Sequence, residues 1–292
     1  MGLAFDLVVA WRTRQAHFPA EITFYYPNRT VAISLTGAHC ALNCAHCGGH
    51  YLEGMQPVEI AVEQAATGKG AAARAKSCLI SGGCDHNGRV PVRAKLETVK
   101  KLRPGRRFNW HVGLIGQDDM EAIAPYVDAV SFDFVGDDAT IREVYGLDRP
   151  AADYAETYRA LVSRFSVIPH VTIGLRGGEI AGEPQALRML RELGLESLVF
   201  IVFTPTPGTR YADRRAPDLP RVAELLVEAR EMFPDKPLIM GCMRPGGPYR
   251  VELDCLAVKA GLNGIVNPAP AAVRLARQFG LEVLRGEECC VL

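Results

Sequence analysis

Residues 187–203 read Leu187-Arg-Met-Leu-Arg-Glu-Leu-Gly194-Leu-Glu-Ser-Leu198-Val-Phe-Ile-Val-Phe203. Apolar residues recur every three or four positions over Leu187–Leu193, which predicts an amphipathic helix, and Gly194 is a typical residue after a helix end. The apolar run Leu198–Phe203 predicts a strand. The same alternation of helix and strand patterns extends along most of the chain.

Eight strand patterns occur from residue 30 onward, each followed by a stretch of helical length. Such crossovers connect parallel strands, and eight of these units within this length predict a closed (β/α)8 TIM barrel; an open doubly wound sheet is the alternative. We expect one α/β domain, 1–292, with an N-terminal extension 1–30, a barrel core 31–268 and a C-terminal tail 281–292. Active sites of such barrels lie where strands end. The predicted strands are Val31–Leu35, Ser77–Ile80, Phe108–Leu114, Ala129–Phe134, Ile168–Leu175, Leu198–Phe203, Pro237–Gly241 and Gly264–Val266.

The composition excludes several classes of protein. The 292 residues are 48% hydrophobic and 23% charged, which is typical of a globular chain. Lys and Arg (33) balance Asp and Glu (33), so nothing favours nucleic-acid binding, which needs many basic residues on one face. No apolar run reaches the roughly 18 residues of a membrane span, and the N-terminus lacks the charge order of a secretory signal. We therefore expect a cytoplasmic protein with no nucleic-acid or membrane partner.

Nine cysteines are unusual for a reducing compartment, where clustered cysteines more often bind metal than form disulfides. Three of them occupy one loop after the first predicted strand, Cys40-Ala-Leu-Asn-Cys44-Ala-His-Cys47. Zinc in a structural site takes four protein ligands, and no fourth Cys or His has matching spacing, although three histidines are nearby. On a four-iron cluster, three thiolates would leave one iron open to a small molecule. Zinc and an iron–sulfur cluster are both compatible with this loop.

The spacing C-x3-C-x2-C after the first barrel strand resembles the radical S-adenosylmethionine (SAM) superfamily. The resemblance implies that Cys40, Cys44 and Cys47 hold a [4Fe-4S] cluster whose open iron binds the amino and carboxylate groups of SAM. One electron from the cluster then cleaves SAM to methionine and a 5′-deoxyadenosyl radical, which abstracts a hydrogen atom from the substrate. His46 stands where the family usually has an aromatic residue, and it is expected to pack near the adenine.

Two strand ends supply segments that resemble the SAM contacts of this superfamily. Ser81-Gly82-Gly83 follows the second strand, where the family's glycine pair binds the SAM amino group. Glycines also let a ligand approach the backbone closely. Asp133 ends the fourth strand, where the family's polar residue contacts SAM; a structural cap or salt bridge is the alternative role for this carboxylate.

The fifth and sixth strands add two further segments. Residues 170–179 resemble a segment in which Ile173 touches the adenine and Gly174 gives clearance, with Glu179 displaced from the family position. Phe203-Thr-Pro205-Thr-Pro-Gly-Thr209 resembles a segment of the biotin-synthase-like branch, which adds Pro205 to the expected cofactor contacts.

The remaining cysteines divide by position. Cys78 and Cys255 lie inside a predicted strand and helix and are expected in the core. Cys84 follows the glycine pair and Cys242 ends the seventh strand, so both belong to the barrel mouth. If the C-terminal tail folds over that mouth, Cys289 and Cys290 join them.

The resemblance implies that these four thiols, Cys84, Cys242, Cys289 and Cys290, hold an auxiliary [4Fe-4S] cluster, the sulfur donor of sulfur-inserting radical enzymes. The alternative is a frayed tail with unliganded thiols. Arg244 is a catalytic candidate, because biotin synthases place an arginine on their auxiliary cluster; binding a carboxylate suits it equally well.

Several short segments resemble the archaeal-type, two-subunit lipoyl synthases. That resemblance implies sulfur insertion into a protein-bound octanoyl chain, with a second radical SAM subunit and an octanoylated carrier protein as partners. An electron donor such as ferredoxin or flavodoxin is also implied. The alternatives are a methylornithine-synthase-like mutase with one cluster and a non-enzymatic zinc-binding scaffold.

Overall fold

The computed structural model describes residues 3–292 of the chain. Eleven strands alternate with helices along the chain, with short 3-10 turns at His50–Gly54, Val92–Lys95 and Ala124–Tyr126 and a π-helical turn at Ile141–Tyr145. The strands are β1 (Glu21–Tyr25), β2 (Thr30–Ser34), β3 (Gln56–Pro57), β4 (Ser77–Ser81), β5 (Arg107–His111), β6 (Ala129–Asp133), β7 (Val167–Ile173), β8 (Leu198–Val202), β9 (Leu238–Met240), β10 (Gly264–Val266) and β11 (Glu282–Gly286). The helices are α1 (Leu3–His17), α2 (Val58–Thr67), α3 (Ala71–Arg74), α4 (Leu96–Lys100), α5 (Gln117–Ile123), α6 (Asp138–Thr140), α7 (Ala151–Val162), α8 (Glu183–Leu193), α9 (Leu219–Met232), α10 (Gly247–Lys259) and α11 (Pro270–Gln278).

All eleven strands form one parallel sheet in the order β11-β1-β10-β9-β8-β7-β6-β5-β4-β2-β3. Strands β1 and β2 stand next to opposite ends of this sheet, yet only residues 26–29 connect them. Such a short link spans at most about 18 Å, so the sheet must curl until its two ends approach each other. Within the described residues the outer strands β3 and β11 do not pair, so the curled sheet is left open there.

The predicted barrel-type α/β fold is confirmed, and the eight predicted strands correspond to β2 and β4–β10. Three strands lie outside those predictions. β1 falls within the predicted N-terminal extension, and its buried Ile22 and Phe24 alternate with more exposed residues, as in a strand with one buried face. The short β3 extends one edge of the sheet, and β11 extends the other from within the predicted C-terminal tail.

The buried core has two parts. The larger part fills the space between the sheet and the outer helices, where α8 contributes Leu187 and Leu190. The smaller part lies inside the curl and is made by the first or second residue of four neighbouring strands, Ala129, Ile168, Val199 and Ile239. Cys290, Val291 and Leu292 of the tail pack against them.

The C-terminal tail crosses the base of the barrel, where the strands begin. The N–H of Arg29 donates to the carbonyl of Glu287 (2.9 Å), and the N–H of Cys289 donates to Oγ1 of Thr30 (2.8 Å), the first residue of β2. The Arg107 guanidinium, at the start of β5, pairs with Glu288 at 2.6 Å. The tail therefore neither folds over the mouth nor frays, the two arrangements considered from the sequence. It follows residues 26–29, which lead from the end of β1 to the start of β2.

None of the helices in residues 3–292 combines the length and the apolar character needed to cross a lipid bilayer.

Candidate active site

The cysteine loop (residues 40–47) follows β2 at the mouth, the end of the barrel where the strands finish. The N–H groups of Cys47 and Gly48 donate to the carbonyl of Cys44 (3.1 and 2.9 Å), which folds the second half of the loop into a tight turn. Cys40, Cys44 and Cys47 are all half-buried. Their thiols therefore remain accessible to a group bound at the mouth.

The segment after β4 fixes the first half of the loop. The N–H of Ala41 donates to the carbonyl of Cys84 (2.8 Å), and the N–H of Cys84 donates back to Sγ of Cys40 (3.3 Å). A side chain at Gly83 would place its Cβ only 1.9 Å from the carbonyl oxygen of His39. Only glycine allows this approach, so Gly83 is required for the position of the cysteine loop whatever ligand it contacts.

The thiols of the loop destabilise one another's charged forms. Burial raises the pKa of Cys44, and the neighbouring thiols of Cys47, Cys40 and Cys84 raise it further. Burial likewise raises the pKa of Cys84 to about 12, with Cys40 as the next cause. Neither pKa is lowered by a nearby cationic side chain, so a bound cationic group would relieve the repulsion and stabilise the thiolates.

The cysteine loop suits a cluster better than a single ion. Among the described residues, no three His, Cys, Asp or Glu side chains converge closely enough to hold one metal ion. A four-iron cluster is larger than one ion, and its thiolate ligands stand correspondingly farther apart. Three half-buried thiols without a cationic neighbour can supply the thiolate sulfurs that such a cluster needs.

His46, within the cysteine loop, is a neutral imidazole at neutral pH. Burial lowers the pKa of His46 to about 4, and its Nδ1 has no hydrogen-bond partner among the described residues. Its ring meets the edge of Tyr145 with the centroids 5.9 Å apart. His46 thus offers an apolar face together with one unused polar atom.

Asp133 is the centre of a charged group inside the mouth. Its Oδ2 lies 3.2 Å from Nε2 of His111, the last residue of β5, and His170 lies opposite Asp133 in the register of β6 and β7. Burial alone would raise the pKa of Asp133, but His111, His170 and His46 outweigh it and hold the pKa at about 2. Asp133 is therefore a carboxylate at neutral pH.

The two histidines beside Asp133 titrate in opposite directions. Burial would lower the pKa of His111, but the charge of Asp133 and the hydrogen bond to it outweigh this effect and raise the pKa. Burial lowers the pKa of His170 to about 4 despite the same carboxylate. The rings of His111 and His170 stack with centroids 6.3 Å apart. The shifts therefore favour the charged form of His111 and the neutral form of His170.

A cavity of about 110 Å³ joins the cysteine loop to this group. Gly82, Cys84, His111 and Asp133 line it on one side, and Tyr145 and Tyr154 line it on the other. The hydroxyl of Ser81, also at the wall, donates to the carbonyl of His111 (2.9 Å) and so ties β4 to β5. The cavity combines a carboxylate, glycine backbone and aromatic rings.

On the β7 side, a different glutamate from the expected one supports the backbone. Gly174 has a left-handed conformation (φ +72°), and its N–H donates to the buried carboxylate of Glu183 at 2.6 Å. Ile173 is buried, whereas Glu179 is exposed. Pro205 is half-buried, and the hydroxyl of the next residue, Thr206, lies 2.9 Å from that of Tyr51 beside the cysteine loop.

The remaining thiols do not form the single group that we expected. Cys84 belongs with Cys40, whereas Cys289 and Cys290 reach the interior from the base. A hydrogen bond from Cys290, supported by the Asn109 amide at 3.7 Å, outweighs burial and lowers the pKa of Cys289 to about 7. Desolvation by the surrounding protein raises the pKa of Cys242, and the negative charge of the Cys289 thiolate raises it further. Solvent nevertheless reaches part of the Cys242 side chain.

Arg244 has a different role from the catalytic one that we considered. Its side chain is fully buried and makes a two-pronged pair with Asp254 of α10 (2.7 and 3.0 Å). The remaining nitrogen donates to the carbonyl of Gly241 at 2.6 Å. All three guanidinium nitrogens are thus used inside the protein, and the residue connects the end of β9 to α10. A ligand of a cluster or a substrate would have to break this pair.

Sequence reasoning missed His111 and Glu183. His111 is a polar residue at the end of a strand, the position that directed attention to Asp133, so the same criterion would have found it. Glu183 carries no comparable signal, because its role depends on how the loop after β7 folds back. Cys78 is fully buried in β4 as expected, whereas Cys255 is half-buried on α10.

No protein-family model matches this chain, and no curated protein matches it in sequence. Solved structures do resemble it. A methylornithine synthase (PylB) has 16% sequence identity and a TM-score of 0.69 over 97% of this chain and 89% of its own. The [FeFe]-hydrogenase maturase HydG from Carboxydothermus hydrogenoformans has 14% identity and a TM-score of 0.68 over 96% and 72% of the two chains.

A third similar structure is that of Streptococcus suis SuiB bound to S-adenosylmethionine. It has 13% identity and a TM-score of 0.53, and the match covers 82% of this chain and 58% of SuiB. At such identities these likenesses establish the barrel fold alone.

Proposed function

We propose that this chain is a radical SAM enzyme that binds a [4Fe-4S] cluster through Cys40, Cys44 and Cys47. One observation carries the proposal. The backbone of Gly83–Cys84 fixes the three-cysteine loop at the mouth, where it borders a cavity that also presents Asp133. The likeness to structures of PylB, HydG and SAM-bound SuiB supports it.

The residues around the cavity suit the parts of SAM. SAM bound to a reduced cluster supplies the 5′-deoxyadenosyl radical that abstracts hydrogen. Asp133, ionised at neutral pH, accepts hydrogen bonds from the ribose hydroxyls or the amino group. Gly82 lines the cavity and leaves its backbone accessible there, whereas Gly83 is buried against the cysteine loop. Pro205 lies near the loop across the mouth. His46 provides apolar surface for the adenine, whereas Ile173 and Gly174 are buried and would have to be uncovered to contact it.

The experiment is anaerobic reconstitution followed by assays of iron and of 5′-deoxyadenosine released from SAM with dithionite. The proposal expects a brown protein with at least about four irons per chain and measurable release. Cys44→Ala should lose both, whereas Cys255→Ala, a thiol on α10, should keep both. A colourless chain that binds zinc and cleaves no SAM would instead support the scaffold alternative.

A second, finer candidate is sulfur insertion of the kind carried out by two-subunit lipoyl synthases. Its support is the set of three thiols, Cys242, Cys289 and Cys290, inside the barrel, where their charges act on one another. These three would hold an auxiliary [4Fe-4S] cluster as sulfur donor, without Cys84 and Arg244. An octanoylated carrier protein and a second radical SAM subunit would then be partners, and a ferredoxin or flavodoxin would supply electrons.

Iron content separates this candidate from the mutase. Two clusters give about eight irons per chain, falling to about four in a Cys242→Ala, Cys289→Ala double variant that still cleaves SAM. A wild-type chain with about four irons, unchanged in that variant, would favour one-cluster chemistry. A carbon-skeleton mutase is then the better candidate, consistent with the likeness to the methylornithine synthase structure.

A further inference from the structure

The loop after β8 covers the outer side of the cysteine loop. The N–H of Tyr211 donates to the carbonyl of Ala45 (3.0 Å), and the N–H of Ala45 donates to the carbonyl of Val144 in the π-helical turn (2.7 Å). Gly48 lies against the side chain of Thr209. Residues 204–215 and 141–145 therefore form a layer of chain in direct contact with the cysteine loop.

This layer carries an excess of positive charge. We call five arginines, from this layer and from the adjoining loop after β7, the arginine patch. The carboxylates among them are Asp137, Glu143, Glu179 and Asp213, so four negative charges face five positive ones, although the whole chain is electrically balanced. The patch consists of Arg142, Arg176, Arg210, Arg214 and Arg215.

Glu143, at the centre of the arginine patch, is already engaged. Glu143 pairs with Arg176 (2.6 Å) and accepts a hydrogen bond from the hydroxyl of Tyr211 (2.6 Å). Arg214 lies over the Tyr211 ring, 5.6 Å from its centroid. Arg214 and Arg215 are exposed, and neither forms an ion pair with a carboxylate in residues 3–292. Their charges are therefore available to a partner.

We propose that the arginine patch is the docking surface for a small acidic electron-transfer protein that reduces the cluster. The inference rests on the proposed function. Electron tunnelling weakens steeply with distance, so a donor must approach the cysteine loop, and Tyr211, whose N–H donates to Ala45 of that loop, lies between Arg210 and Arg214 in the chain. Complementary charge steers such an encounter and raises its rate.

The electron balance of this step is simple. One electron leaves the reduced cofactor of the partner and enters the oxidised cluster held by the cysteine loop. The partner is oxidised by one electron, the cluster is reduced by one, and no covalent bond forms or breaks. The partner must therefore be acidic and carry a low-potential one-electron centre, as flavodoxins and ferredoxins do.

The test compares two reductants on reconstituted enzyme, reduced flavodoxin and dithionite, with 5′-deoxyadenosine as the product measured. Arg214→Glu combined with Arg215→Glu should lower the flavodoxin-driven rate by about tenfold at low salt and leave the dithionite-driven rate unchanged. The matched control, Arg188→Glu with Arg191→Glu, makes the same charge change on exposed residues of α8. It should leave both rates unchanged.

The other outcomes distinguish the two proposals. Equal flavodoxin-driven rates in both variants, or a patch variant that is slow with both reductants, would overturn the docking surface alone. So would a wild-type chain that responds to dithionite but to neither reduced flavodoxin nor reduced ferredoxin. A patch variant impaired only with a carrier-protein substrate would assign the arginines to that substrate instead. A wild-type chain that cleaves no SAM with dithionite would remove the proposed function itself.

Discussion

The backbone N–H of Cys84 donates to Sγ of Cys40, at 3.3 Å, across 44 residues of sequence. This bond joins the loop after β2 to the loop after β4, and the carbonyl of Cys84 receives the N–H of Ala41 in return. Cys84 therefore acts on the first cysteine of the loop through its backbone, whatever its thiol does.

Gly83→Ala should displace the cysteine loop and reduce cluster binding. A Cβ there would lie 1.9 Å from the carbonyl of His39 and 2.6 Å from Cα of Cys40, so the loop must move. Overpacking of this kind costs about 1–3 kcal/mol of folding free energy. We expect less than half of the wild-type iron after anaerobic reconstitution, measured by colorimetric assay.

Gly54→Ala is the matched control for this variant, because an added Cβ at that exposed glycine meets no atom within 4 Å. It should retain wild-type iron. If Gly83→Ala also bound iron normally and unfolded at the wild-type temperature, the close approach between the two loops would have no role in cluster binding.

The pair of His111 and Asp133 should make stability depend on pH. The pKa of His111 is raised in the folded state, so its contribution is fully present below its unfolded pKa of about 6.5 and is lost as pH rises through the folded pKa. Asp133→Asn removes the partner. The variant should therefore lose more stability at pH 6.5 than at pH 9. The two losses in free energy of unfolding should differ by about 1 kcal/mol, and thermal unfolding at both pH values measures them.

The lowered pKa values of His46 and His170, about 4, act in the opposite direction. These groups destabilise the fold only as pH falls below about 6.5, where the unfolded chain binds the protons, so the comparison is made above that value. NMR titration of the His111 ring provides the direct check. A His111 pKa that stays the same in Asp133→Asn would rule out the ion pair as its cause.

Much of the site followed from local sequence patterns. Strand runs and helical spacing repeat along the chain, and parallel strands all finish at the same end. That rule alone predicts that the cysteine loop, the glycine pair and Asp133 lie at one end. His111 satisfies the same rule at the end of β5.

Contacts between distant segments could not be predicted from such local patterns. The tail reaches the base because it follows residues 26–29 to the start of β2, and the letters Glu-Glu-Cys-Cys contain no signal for those hydrogen bonds. Arg244 resembled a ligand at the mouth, but its carboxylate partner lies ten positions later on the buried face of α10. Burial of an ion pair depends on helix packing, which a single sequence leaves open.

We expect Arg244 to have a structural role, and removing it together with its partner Asp254 tests this. Arg244→Met leaves the buried Asp254 carboxylate without its cationic partner, with only the N–H of Ala269 still donating to it (2.8 Å), which costs about 3–5 kcal/mol of folding free energy. Combining it with Asp254→Leu removes both charges, and this double variant should recover a large part of the loss. Urea unfolding at constant pH measures the three free energies.

Arg250→Met is the comparison for Arg244→Met, since this nearby arginine donates only to the carbonyl of Cys242 (3.2 Å). It should cost about 1 kcal/mol. A double variant no more stable than Arg244→Met would contradict a structural role for the ion pair. A stable double variant that cleaves SAM but does not transfer sulfur would instead support a catalytic role for Arg244.

Thr30→Val should loosen the tail at the base of the barrel. The Thr30 hydroxyl accepts the N–H of Cys289 (2.8 Å) and bonds to the hydroxyl of buried Ser77 (2.7 Å), whereas valine has the same shape and no hydroxyl. A buried hydrogen bond of this kind contributes about 1 kcal/mol, which corresponds to about a fivefold change in opening. In iron-free chain, alkylation of Cys289 and Cys290 followed by peptide mass spectrometry should therefore be about fivefold faster. Thr67→Val, at the exposed end of α2, is the matched control and should label at the wild-type rate; equal rates in all three chains would mean that the tail is held by its apolar contacts alone.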